Sequence, residues 1–258
     1  GIEDCLAAGA MRATCVMTNM PECGAAVSLR KKFPQSSLGV HWNLTQGRPV
    51  LDPARVPSLV DGQGRFSASL RRQWLARRIN AAELRAELRA QYGRFRELAG
   101  AADFWNTHQD VHVYPGLFQL FVEIGNALKI PAMRSHERVT LPLHGSASAY
   151  HLRHPSYWAK GYVIHRWSQR ARADGVRLPD GRLYLPGYEA GSYIPEALFD
   201  RLDGRNVPGV IELVIHPSRE LDPSLGGLTE SRLREHKLFG DTRLVGKLED
   251  KGIRVVGF

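Results

Sequence analysis

The stretch Leu38-Gly39-Val40-His41-Trp42-Asn43-Leu44-Thr45 decides how the rest of the chain is read. Residues 38–44 form a short apolar run that predicts a β-strand with His41 towards its carboxyl end. Residues 45–65 then carry Gly47, Pro49, Pro53, Pro57, Gly62 and Gly64, and read as an ordered loop. A helix is expected over 81–98. Asn80 is its candidate N-cap, Glu83 stands where a capping box needs it, and Gly100 stops it. Leu84, Leu88, Tyr92, Phe95 and Leu98 recur at the spacing of one buried helix face.

The same alternation runs outward in both directions. On the amino-terminal side the pattern predicts a helix over 3–9, a strand over 13–18 and a helix over 23–32. On the carboxyl-terminal side it predicts helices over 116–128 and 155–173, and a short strand over 130–134 between them. Residues 175–193 read as a loop rich in Gly, Pro and Tyr. Beyond it come a helix over 195–203, a strand over 209–215, helices over 228–238 and 241–250, and a last strand over 253–256. Short apolar strands separated by helices imply a mostly parallel sheet covered by helices. The fold class expected is α/β, as a distorted (β/α) barrel forming one domain over residues 1–258.

Composition excludes several function classes. The 258 residues are 43% hydrophobic and 24% charged, as in ordinary globular proteins. No run reaches the ~18 apolar residues of a membrane span, and no signal peptide opens the chain. Cys5, Cys15 and Cys23 form no CxxC pair, and their odd number argues against a disulfide framework. They read as free thiols of a reducing compartment, so a cytoplasmic location is expected. The net charge of +9, from 35 basic against 26 acidic residues, favours anionic partners. Arg71, Arg72, Arg77, Arg78, Arg85, Arg89, Arg94 and Arg96 are spread over exposed helix faces, however, and no zinc finger or RNA-recognition signature accompanies them. No nucleic-acid partner is expected; a homo-oligomer is left open.

Three segments place a His at or just past the end of an expected strand: His41, then His108 and His112, then His216 before Pro217. In parallel α/β folds and barrels those ends form the active-site rim. Taken singly, each imidazole reads as a hydrogen-bonded structural His. Together they can supply metal ligands and a proton donor. His108 and His112 would share a face on a helix or on a strand, and Asp110-Val111 and Pro115 speak against the helix. His136, His144, His151, His154, His165 and His236 are assigned structural or surface roles.

The ordered set of motifs resembles the ChbG/YdjC-like carbohydrate deacetylases. Gly39 to Thr45 with Gly47 and Pro49 is similar to the family's G-x-H-x-N-L-T-x-G-x-P segment. Val56 to Asp61 with Gly64 and Phe66 resembles its vPsLvd-x-x-G-x-F segment. Thr107 to His112 with Pro115 resembles S-H-x-H-v-H…P, and Ile130-Pro131 with Arg134 the next strand. Gly209 to Leu213 with His216-Pro217 resembles G-x-v-E-l-x-x-H-P-G, and Arg232, Glu235 and Leu238 the closing helix. The likeness runs in order from about residue 12 to the carboxyl terminus.

This resemblance implies a distorted barrel, one divalent metal ion (zinc or magnesium) and hydrolysis of the acetamido group of an N-acetylated amino sugar. It implies His41 and His108 as metal ligands and His216 as the general acid. His112 becomes a pocket residue or alternate ligand, and Arg134 orients a carboxylate near the metal or contacts substrate. Two differences stand out. The family opens with a strand ending in Asp-Asp-Phe-Gly, supplying a ligand and the base, whereas Gly1-Ile2 resembles the helix after it, so the opening strand is expected to lie upstream. Asp110 and Ser218 replace a His and a Gly of the pattern, and Asp110 is a candidate anionic partner for a His. Trp42, Asn43 and Trp105 flank the His motifs as candidate substrate contacts. Tyr114, Tyr184, Tyr188 and Tyr193 are further aromatic candidates, with 184–193 as a substrate-facing loop.

The chemistry accounts for these residue types. A divalent metal polarises an amide carbonyl and acidifies water, a carboxylate takes the water's proton, and a His protonates the departing amine. Two readings compete with a deacetylase: a catalytically silent saccharide-binding barrel lacking the Asp base, and another metal hydrolase such as a phosphoesterase. Against the second, no carboxylate-rich two-metal ligand set is visible.

Overall fold

The structure is a computed structural model describing residues 1–67, 69–140, 155–184, 197–205, 207, 209–221 and 229–258. Backbone contacts divide the chain into two compact units. One comprises Ala13–Arg134, Ala171–Arg177 and Phe258; the other comprises Gly1–Arg12, Ser135–Arg170 and Leu178–Gly257.

In the first unit, β1 (Ala13–Val16), β2 (Ser37–Trp42) and β3 (Trp105–Thr107) form a parallel sheet in the order β1-β2-β3. The register pairs Cys15 with Gly39 and His41 with Asn106. Counting α1 as Ile2–Ala7 in the other unit, helices α2 (Ala25–Lys32), α3 (Leu70–Leu75), α4 (Ala81–Ala99) and α5 (Phe118–Ala127) belong here. α4 and α5 bury the faces their periodicity marks: Leu84, Leu88, Tyr92 and Phe95 from one, Leu117, Leu120, Phe121 and Ile124 from the segment of the other. Gly39 admits the Phe104 ring, which a Cβ there would meet at 2.7 Å. That ring stacks on Phe258 at 4.0 Å.

The capping box of α4 is not closed as expected. Asn80 Oδ1 does accept the Ala82 N–H at 2.8 Å. Glu83, however, accepts from the Ser58 backbone N–H at 2.8 Å, and the Asn80 N–H donates to Ser58 Oγ at 2.9 Å. Ser58 inserts between the two partners, and one helix end thereby anchors the preceding loop. Further along α4, buried Glu87 accepts the N–H groups of Val50 and Leu51 and the Gln91 amide. Gln91 in turn donates to the Asn43 carbonyl and accepts the Asn43 N–H.

The second unit has its own parallel sheet, β4 (Arg138–Thr140), β5 (Gly181–Tyr184) and β6 (Ile211–Glu212), in that order. With it are α1, α7 (Ala197–Arg201), α8 (Thr229–Phe239) and α9 (Arg243–Glu249); α6 (Pro155–Ala173) runs from this unit into the other. Its core gathers Cys5, Leu198, Phe199, Phe239, Leu244 and Leu248.

The α/β class and the parallel pairing are as expected, whereas no closed barrel is found among the described residues. The run 130–134 contributes only single bridges, Trp105 with Met133 and Ala132 with Arg177, and residues 253–256 form no strand. The strand expected over 209–215 is reduced to two residues, and β4 and β5 were not expected. Strands of three or four residues are too short to display a period of two, and only their partners define them. The loop 184–193, Tyr188, Tyr193, His144, His151 and His154 lie outside the described residues, except for the backbone of Tyr184.

The Glu87 carboxylate uses both oxygens as acceptors, so an amide in its place turns one donor against a backbone N–H. Glu87→Gln is expected to lower stability by about 1–3 kcal/mol, read as a reduced urea midpoint at unchanged slope.

Candidate active site

His41 is the penultimate residue of β2, and His108 directly follows β3. Because β2 and β3 are adjacent and parallel, their carboxyl ends deliver the two rings to one place, with centroids 5.5 Å apart in an edge-to-face arrangement. His41 Nδ1 lies 2.5 Å from Asn106 Oδ1. Asn106 is wholly buried, and its Nδ2 donates to Cys15 Sγ at 3.5 Å.

The two imidazoles have opposite electrostatics. Burial pulls the pKa of His41 down, but the Cys15 thiol and the Asn106 carbonyl outweigh it and the net shift is upward. Burial likewise pushes the Cys15 thiol up, while His41, then Arg134 and Asn106, bring it down to about 7. His108 falls to about 4, through burial first and repulsion from His41 second, with Asp110 opposing. Two rings so close are not both imidazolium at neutral pH.

Gln109 and Asp110 both adopt left-handed backbone, φ 54° and 52°. Such residues cost ~1–3 kcal/mol each and need support from their surroundings. They turn the chain sharply after His108, so His108 and His112 do not form a helical pair. His112 is fully buried instead, its Nδ1 2.6 Å from Thr107 Oγ1 and its ring packed against Trp105, Phe118 and Phe121.

The flanking candidates separate in the same way. Trp42 and Trp105 are fully buried with ring centroids 5.2 Å apart, and Trp42 Nε1 donates to the Leu88 carbonyl. They form core, not pocket wall. Asn43 is saturated by protein partners: its Oδ1 accepts the N–H groups of Thr45 and Gln46, and its Nδ2 donates to Asn19 and to the Gln46 carbonyl. It organises the turn after β2. Arg134 is half-buried and acts electrostatically on Cys15. Tyr114 lies under the Arg71 guanidinium, 5.9 Å from its ring centroid.

His216 belongs to the other unit, four residues past β6 and exposed. Its backbone N–H donates to buried Glu235 at 2.5 Å, and burial raises the Glu235 carboxyl. His165 pairs with Glu137 and His236 with Asp4, the supporting roles assigned to them. Sequence reasoning overlooked Asn106 and Cys15. Asn106 precedes the His-rich segment by two residues, but only the pairing of β2 with β3 sets it against His41.

Among the described residues no group of three His, Cys, Asp or Glu side chains forms a complete metal cage. No described helix is long and apolar enough to cross a membrane.

The model of the YdjC-like protein family matches residues 1–250. A carbohydrate deacetylase of Geobacillus stearothermophilus is 26% identical, the match covering 100% of this chain and 89% of that protein. A carbohydrate deacetylase of Homo sapiens is 28% identical over 99% of this chain and 84% of its own length. A chitooligosaccharide deacetylase of Proteus mirabilis is 32% identical over 51% of each. A solved structure from Enterococcus faecalis V583, provisionally assigned to cellobiose-phosphate cleavage, superposes with a TM-score of 0.75 at 22% identity. It covers 100% of this chain and 90% of its own, a likeness of fold alone.

The low pKa of His108 has a consequence for the metal-free protein. The unfolded chain takes up this proton near 6.5 and the folded chain near 4. Acidification through that window therefore favours unfolding. The melting temperature is expected to fall between those pH values, His108→Gln to flatten that part of the profile, and the His108 ring resonances to titrate near 4.

Proposed function

The chain belongs to the YdjC-like family, and from that premise we propose that it is a metal-dependent carbohydrate deacetylase, removing the acetyl group from an N-acetylated amino sugar. The observation that carries this reading is the convergence of His41 and His108 at the ends of adjacent parallel strands. Their donor set suits a divalent ion. With Nδ1 of His41 bonded to a carbonyl oxygen, its Nε2 keeps a lone pair, and His108 stays neutral at physiological pH. Two imidazoles favour zinc or another divalent transition metal, with magnesium the alternative expectation. Such an ion, when bound, polarises the acetamido carbonyl and acidifies water.

The protein's own task is to place protons. Water adds its oxygen to the carbonyl carbon, the C–N bond breaks, and the nitrogen must leave as an amine, because an amide anion is too poor a leaving group. We assign the donated proton to His216, an exposed imidazole whose backbone Glu235 holds. Arg134 is assigned to a carboxylate or to substrate beside His41. A carboxylate base takes the water's proton. The same reading carries a distorted β/α barrel as one domain and a cytoplasmic location, in keeping with three free thiols.

Elemental analysis and acetate release from N-acetylglucosamine oligomers test this on the protein. Stoichiometric metal is expected, lost in His41→Ala and His108→Ala together with acetate release. His216→Ala is expected to retain metal and lose about 10²–10⁴-fold in kcat. Absence of metal after reconstitution, with saccharide still bound and no acetate formed, would establish a saccharide-binding protein instead.

A further inference from the structure

Cys15, His41 and Asn106 stand on the three adjacent strands β1, β2 and β3. The Asn106 side chain reaches in two directions: to His41 beside it, and across the middle strand to Cys15. An amide is asymmetric, since Nδ2 only donates and Oδ1 only accepts. Nδ2 is turned to sulfur and Oδ1 to the imidazole, and Cys15 also bonds His41 directly. The reverse orientation would set two donors head to head at His41 if the ring kept its Nδ1 proton. Asn106 is wholly buried, so water does not substitute for either partner. An oxygen acceptor at 2.5 Å requires hydrogen on Nδ1. In the neutral ring the lone pair then resides on Nε2.

We propose that Asn106 is a positioning residue for His41, holding it in the Nδ1–H tautomer with Nε2 presented. The effect on metal affinity rests on the deacetylase reading; the tautomer does not. A hydrogen-bond partner on the remote nitrogen fixes a ligating imidazole's orientation and basicity, and its loss typically weakens metal binding ~10–100-fold.

The test uses ¹⁵N-labelled, metal-free protein, with long-range ¹H–¹⁵N correlations of His41 recorded above its titration. Zinc affinity is measured alongside by chelator competition. The wild type is expected to show Nδ1–H alone. Asn106→Ala is expected to mix the tautomers and weaken zinc about 10–100-fold, and Asn106→Asp, which keeps an oxygen acceptor, to restore both. If Asn106→Ala does not fold, Asn106→Leu, similar in size and without a polar side-chain atom, reads the same loss. An Nε2–H tautomer in the wild type, or one unmoved by both Asn106→Ala and Asn106→Leu, overturns the proposal. A wild type with the Nδ1–H form but no zinc affinity upholds the positioning role and removes the metal reading.

Discussion

The parallel register of β2 against β3 carries the candidate site. Val40, His41 and Trp42 lie opposite Trp105, Asn106 and Thr107. This one alignment sets His41 beside Asn106, starts the His108 turn at the strand end, and packs Trp42 against Trp105. Side chains alternate across a strand, so a slip of one residue would move His41 to the opposite face. The buried tryptophans oppose that slip, because it would bring them out of the core formed with Phe121.

The loop after β2 is held by polar groups that water does not reach. Gln91 and Glu87, one turn apart on α4, bind the backbone of Asn43 and of Val50 and Leu51, while Asn43 closes the turn between. Buried polar groups are costly unless satisfied, and here each side chain meets complementary partners. The arrangement trades hydrophobic burial for a specified loop path. Trp42, next to His41 in sequence, serves the scaffold because adjacent residues on a strand face opposite ways.

His108 is kept neutral by burial and by its neighbour, whereas His41 has a fixed partner on Nδ1 and a net upward shift. The Cys15 thiol adds a polarisable group beside His41, with Arg134 contributing positive charge. Asp110 stands in a left-handed turn where its charge favours His108 protonation, opposing the dominant shift without reversing it. The His216-Pro217 turn is tied to α8 through Glu235.

The sequence by itself determined the alternation of helices and parallel strands, the buried face of α4, and the placing of His41 and His108 at strand ends. These are local signals: period, capping chemistry and a His at a strand end are written in neighbouring positions. The expected Asn80–Glu83 box failed because Ser58, distant in the chain, competed for both partners. The strand over 130–134 and the last strand were over-read, while β4 and β5 were missed, because short strands exist only through their partners. Tertiary structure alone decided that Trp42 and Trp105 are core, that His112 turns away from His108, and that Cys15 and Asn106 join His41. Each depends on register and on which residues of other strands lie opposite, and hydrogen-bonded pairing between distant segments is a property that no single stretch of sequence contains.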